Sequence, residues 1–131
     1  MEPLARSTPA SRTMQRIQAA LKQHALAYPE AWEDHPWGGV VIKVRKKIFC
    51  SFGDGDLVAG RLCLSVKLPH SEAQALDLPG AEPTHYGLGK HSWVTLNLES
   101  EDLPDGELLK AYIDESYRAI APKTLVRQLE A

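Results

Sequence analysis

PWGGVVIKVRKKIFCSFGDGDLVAGRLCLSVK, residues 36–67, is the stretch whose reading decides the fold. Val40, Ile42 and Val44 alternate with Val41, Lys43 and Arg45, and a period of two marks a strand with one buried and one open face. The open face is basic. Arg45-Lys46-Lys47 makes a tight turn into a second strand, Ile48–Phe52, on which Ile48, Cys50 and Phe52 are expected to share the buried face. Gly53-Asp54-Gly55-Asp56 turns out of it; no glutamate completes a calcium loop there. Arg61–Lys67 is the third strand, burying Leu62, Leu64 and Val66. By the same alternation Cys63 points away from Cys50, so the two cysteines are expected to stay unpaired and reduced.

On the N-terminal side, residues 1–11 hold Pro3, Ser7, Pro9 and Ser11 with little apolar content and read as a flexible tail, leaving one domain over 12–131. Thr13 is placed to cap a helix running to about Ala27, with Met14, Ile17, Leu21 and Ala25 as its apolar stripe. Tyr28-Pro29 ends it, because the residue before proline disfavours helical backbone. The connector to Gly39 carries Trp32 and Trp37, expected to close one end of the core.

On the C-terminal side, Ser71 and Gln74 have the spacing of a capping box for a short helix to about Leu76. Residues 82–88 read as extended or irregular, Gly87-Leu88-Gly89-Lys90 as a turn, and 92–98 as a strand with Trp93, Thr95 and Asn97 opposite Val94, Leu96 and Leu98. Leu103-Pro104-Asp105 opens a long helix to about Ala121, whose buried face is Leu108, Leu109, Tyr112, Ile113, Ser116 and Ile120. Pro122 breaks it before a terminal turn, Lys123 to Leu129. Antiparallel strands with helices gathered on one face make a two-layer α+β sandwich.

A chain of 131 residues, 44% hydrophobic and 24% charged, suits one globular domain. No apolar run approaches the roughly 20 residues of a membrane span, and the first residues lack the apolar core of a signal peptide, so a cytoplasmic location is expected. The net charge of −2 makes no global case for nucleic acid. Its distribution is uneven: 43–67 is basic and 99–115 acidic. Asp102, Asp105 and Glu107 stand where a helix begins, and the macrodipole accounts for most of the acidic cluster without a metal.

The order of these segments resembles the MmcQ/YjbR family of small bacterial proteins, whose fold is similar to frataxin/CyaY. The likeness rests on Pro36-Trp37-Gly38, the pair Ile42-Lys43-Val44 and Lys47-Ile48-Phe49, Lys90-His91-Ser92-Trp93 entering a strand, and Asp114-Glu115-Ser116-Tyr117 with Lys123 beyond. It spans roughly residues 13–130. The tail has no counterpart in it, and the acidic balance departs from what a DNA binder needs. The resemblance implies a CyaY-like fold and, through a double-wing proposal made for the family, DNA as the partner.

Phosphate contacts are expected from Lys43, Arg45, Arg61 and Lys67 on the open face, rimmed by Lys47, Lys90 and His91, with Trp93 as a stacking platform. The plain alternative is that strand lysines and arginines keep an exposed sheet soluble. Gly87–Lys90 lacks Walker spacing, though its backbone amides are candidates to cradle an anion. The histidines are scattered, with His85 and His91 nearest in sequence, and neither they nor Cys50 or Cys63 compose a metal site or a nucleophile triad. No cofactor or catalytic set is expected. The competing functions are a protein-interaction domain without nucleic-acid affinity and a small-ligand site around Trp37, His85, Tyr86 and His91.

Overall fold

The computed structural model describes residues 9–36, 39–53, 60–85 and 87–130, with side chains from residue 12 onward. Along the chain run α1 (Pro9–Leu26), β1 (Ala31–Asp34), β2 (Val40–Val44), β3 (Lys47–Phe52), β4 (Arg61–Lys67), α2 (Glu72–Leu76), β5 (Ala81–Pro83), β6 (Trp93–Glu99), α3 (Gly106–Ile120) and α4 (Lys123–Leu129). The strands form one antiparallel sheet in the order β1-β2-β3-β4-β6-β5. Helices α1 and α3 pack against each other and onto one face, which makes the α+β sandwich read from the sequence. None of the described helices is long and apolar enough to cross a membrane.

The helix α1 begins earlier than expected. Residues 9–11 form its first turn instead of a tail, and Thr13 lies inside it; residues 1–8 fall outside the described part. Proline suits a first helical position, where its missing N–H has no intrahelical acceptor anyway. Met14, Leu21 and Ala25 are buried, and Ile17 packs beside them.

The strand β1 was hidden in the connector. Four residues, Ala-Trp-Glu-Asp, are too short and too acidic to show a period, yet they pair with β2 from Ala31↔Val44 to Asp34↔Val41. That places Trp32 on the open face, 43% exposed, where it does not close the core. Trp37 lies outside the described residues.

The larger departure is in β3. Ile42 pairs with Cys50 but Lys43 pairs with Ile48, so Phe49 is an extra residue, a bulge. The bulge shifts the phase: Phe49, Cys50 and Phe52 are buried, while Ile48 turns to the open face. Cys50 faces the core and Cys63 the open side; burial pushes the Cys50 thiol well above its usual range. Next to the bulge the β3–β4 ladder ends at Cys50↔Val66. Ser116 of α3 completes it: its Oγ accepts from the Lys67 N–H at 2.8 Å and donates to the Phe49 carbonyl.

Helix α2 is not capped as the Ser71–Gln74 spacing suggests. Ser71 donates its hydroxyl to Glu115 at 2.7 Å, and Gln74 accepts from the Tyr112 hydroxyl at 2.9 Å. The N–H groups of His70 and Ser71 also donate to Glu115. Asp105 does cap α3, accepting from the Glu107 N–H at 3.0 Å.

Gly80 sets how β5 joins the sheet. Its φ is +82°, and a Cβ there would lie 2.1 Å from the Asn97 carbonyl oxygen. Its own carbonyl accepts from the Asn97 N–H at 3.1 Å and from Nδ2 at 2.9 Å. Gly80→Ala is expected to cost about 1–2 kcal/mol from the left-handed backbone alone, with the displacement of β5 added. Urea unfolding and faster amide exchange at Asn97 would register it; unchanged exchange would show that β5 absorbs the methyl.

Candidate nucleic-acid interface

Cross-strand pairing sorts the open face into rows. One row runs Trp32, Lys43, Ile48 over β1–β3 and continues as Lys67 and Trp93 over β4 and β6. The next is Asp34, Val41, Ser51, Ser65, Thr95 and Glu82. The first carries charge and aromatic surface; the second carries hydroxyls. Both rows are possible because alternation sends every second residue of each strand to this side.

A groove of about 910 Å³ opens over these rows. Val41, Ile48, Ser51, Ser65 and Trp93 line it, with Pro36 and Gly39 of the connector at one wall. Lys46 and Lys47 stand at the β2–β3 turn, while Thr84 and Leu88 close the far side. Leu88, 42% exposed, belongs to a 3₁₀ turn, Leu88–His91. That turn is held tightly: Gly89 donates its N–H to the Thr84 carbonyl at 3.0 Å, and a Cβ on Gly89 would lie 2.8 Å from Pro83 Cβ. The N–H groups of Leu88, Gly89 and Lys90 donate to the carbonyls of His85, Thr84 and Gly87, so these three amides are engaged within the chain.

The floor has its own hydrogen-bond order. Ser65 Oγ and Thr95 Oγ1 lie 2.8 Å apart, and Thr95 Oγ1 and Thr84 Oγ1 2.9 Å. This row of three hydroxyls crosses from β4 over β6 to the residue after β5.

The expected phosphate contacts are not gathered equally. Lys43, Lys47 and Trp93 line the groove. Lys67 is the cross-strand neighbour of Trp93, and Lys90 and His91 are exposed on the 3₁₀ turn just before it. Lys43, however, is already engaged: Nζ lies 2.8 Å from Asp34 and 5.1 Å from the Trp32 ring centroid. The hydrogen bond from Lys43, with that from the His35 N–H, holds Asp34 below the usual carboxylate range.

Arg45 is not on the open face as alternation predicts. It leaves the strand with φ of +55° and forms a two-point pair with Glu30, at 3.0 and 3.2 Å. Arg61 sits at the other end of β4, opposite Glu99 and six residues from Lys67, roughly 20 Å at the usual strand rise. Among the described residues Lys46, Lys47, Lys67 and Lys90 have no ion pair.

Sequence reading missed Lys46 and Ile48 as groove residues and missed the hydroxyl row. Lys46 was hidden as a turn residue. Ser65, Thr84 and Thr95 carry no local signal, since three different segments supply them. Trp37 and Tyr86, named for a small-ligand site, lie outside the described residues. Among the described residues no group of three or more His, Cys, Asp or Glu side chains converges to hold a metal.

The YjbR family model matches residues 26–119. In solved structures, the fold is similar to that of a Deinococcus radiodurans protein with the DUF419 domain, at a TM-score of 0.65 and 22% identity over 86% of this chain and 87% of that one. It is also similar to a Pseudomonas syringae protein, at a TM-score of 0.59 and 17% identity over 79% of this chain and 97% of that one. Among curated proteins none matches. At these identities the likeness to solved structures is one of fold, whereas the family model covers the sheet, its open face and most of α3, and on that ground the chain belongs to the YjbR family.

Proposed function

We propose that this YjbR protein binds DNA, contacting phosphates along the open face of its sheet. The observation that carries this reading is a set of lysines without carboxylate partners, Lys46, Lys47, Lys67 and Lys90, around a groove that contains Trp93. Cations already neutralised by carboxylates gain little from a phosphate, because one ion pair must break for another to form. Lys43 and Arg45 are in that position. The contact set is therefore shifted toward the β2–β3 turn and the start of β6.

The test is anisotropy of labelled DNA across a salt series. Binding should weaken steeply with salt, since neutralised phosphates release counterions. The double reversal Lys46→Glu with Lys47→Glu should lower affinity at least about tenfold at low salt and flatten the salt slope by about 2. Arg61→Glu, far along β4, should leave affinity within about twofold. A double reversal that binds like the parent would remove this face as the DNA contact. A second reading, docking of a partner protein without nucleic-acid affinity, draws support from the exposed Trp32 and Leu88. Absence of DNA binding at low salt favours it.

A further inference from the structure

We propose that the groove takes DNA as a single strand, with one unstacked base lying against Trp93. The inference rests on the DNA reading above and adds the form of the nucleic acid. A duplex offers a protein its phosphate rails and base edges, while its π-faces stay stacked inside. The groove is built for the opposite surface. Pro36, Val41, Ile48, Leu88 and Trp93 give it apolar walls, which a phosphate rail cannot use and a flat base can cover.

The hydroxyl row adds a polar edge to that apolar slot. Ser65, Thr95 and Thr84 contribute three hydroxyl protons, and the two contacts among them use two. One proton and several lone pairs remain for a ligand. Ser65 and Thr84 both face the groove, as does Trp93, and Thr84 is tied to Trp93 through its N–H to the Trp93 carbonyl at 3.0 Å. An aromatic face and hydrogen-bonding groups able both to donate and to accept thus lie on one rigid piece of sheet. That combination holds a base of any kind without selecting one.

The cations stand on both sides of this slot. Lys46 and Lys47 project from the β2–β3 turn, and Lys90 from the 3₁₀ turn beyond Leu88. A backbone entering at one turn and leaving at the other meets positive charge before and after the stacked base. The connector at Pro36 and the 3₁₀ turn at Leu88 both contribute apolar lining to the slot.

The experiment compares a labelled single-stranded oligodeoxynucleotide with the duplex of the same length and sequence, at one salt concentration, on the full chain. The single strand is expected to bind at least about tenfold tighter. Trp93→Ala should weaken single-strand binding about tenfold, and Trp93→Phe, which keeps a π-face, should restore it. Melting of each variant checks that it is folded, and the wild-type ratio needs no variant. Duplex binding as tight as or tighter than the single strand overturns the inference and leaves the DNA reading standing. No binding of either form at low salt overturns both.

Discussion

Phe49→Ala should lower folding stability by about 3–5 kcal/mol, the usual consequence of removing a large aromatic side chain from a packed core. Phe49 is fully buried. Its ring meets Tyr28 edge-on at 6.1 Å and Tyr117 at 5.0 Å, and those two rings stack on each other at 4.5 Å. Neither tyrosine is free to relax into the vacated space. The Tyr28 hydroxyl donates to Asp114 at 2.8 Å, and the Tyr117 hydroxyl donates to the Pro29 carbonyl at 2.8 Å. Anchored walls keep a cavity open, which places the expected loss high in the range. Since domains of this kind are stable by only about 5–15 kcal/mol, the variant loses a large share of the total. Urea unfolding monitored by circular dichroism measures it. A loss below about 1.5 kcal/mol, nearer that of a conservative core change, would mean that the bulge closes over the gap.

Ser116→Ala should cost about 2–4 kcal/mol, because two buried backbone groups lose their partner at once. The serine stands in the middle of α3, fully buried, where helix propensity alone argues for alanine. Its Oγ accepts the Lys67 N–H and donates to the Phe49 carbonyl, filling the place of one ladder bond between β3 and β4. Alanine leaves the donor and the acceptor facing each other without contact. Urea unfolding gives the size, and amide exchange at Lys67 gives the cause, since that N–H should exchange much faster. If the strands instead close and bond directly, exchange at Lys67 will stay slow and the loss will fall below about 1 kcal/mol. The two substitutions act at one bulge, so their sum should not equal the double variant.

These two residues show where local reading stops. The alternation in β2, β4 and β6 was legible because one face is packed and the other is not, so apolar and polar residues take turns. The long α3 was legible for the equivalent reason at a helical period, and Ser116 even stood in its buried stripe. In β3, however, Ile48, Phe49 and Cys50 are all apolar, and either phase satisfies the pattern. The helix decides between them. Tyr28 and Tyr117 pack against the Phe49 ring, Ser116 donates to the carbonyl of the bulged residue, and Ile48 is left to line the groove.

The charges follow the same division. A strand period says which side Lys43, Arg61, Lys67 and Trp93 occupy, and for these four it is right. It says nothing of how far apart they lie or what already holds them. Arg45 is drawn to Glu30 and Lys43 to Asp34, carboxylates supplied by other segments. The hidden edge strand β1 matters here, because it brings Asp34 and Trp32 beside Lys43.

By itself the sequence determined the α+β class, most of the strands and helices, the core-facing residues of β2, β4 and β6, and the family, because periodicity and turn chemistry are local properties. Only the tertiary structure decided the bulge at Phe49, which lysines stand unpaired, and that Ser65, Thr84 and Thr95 meet beside Trp93. Those depend on contacts between residues far apart in the chain, and no spacing along it records them.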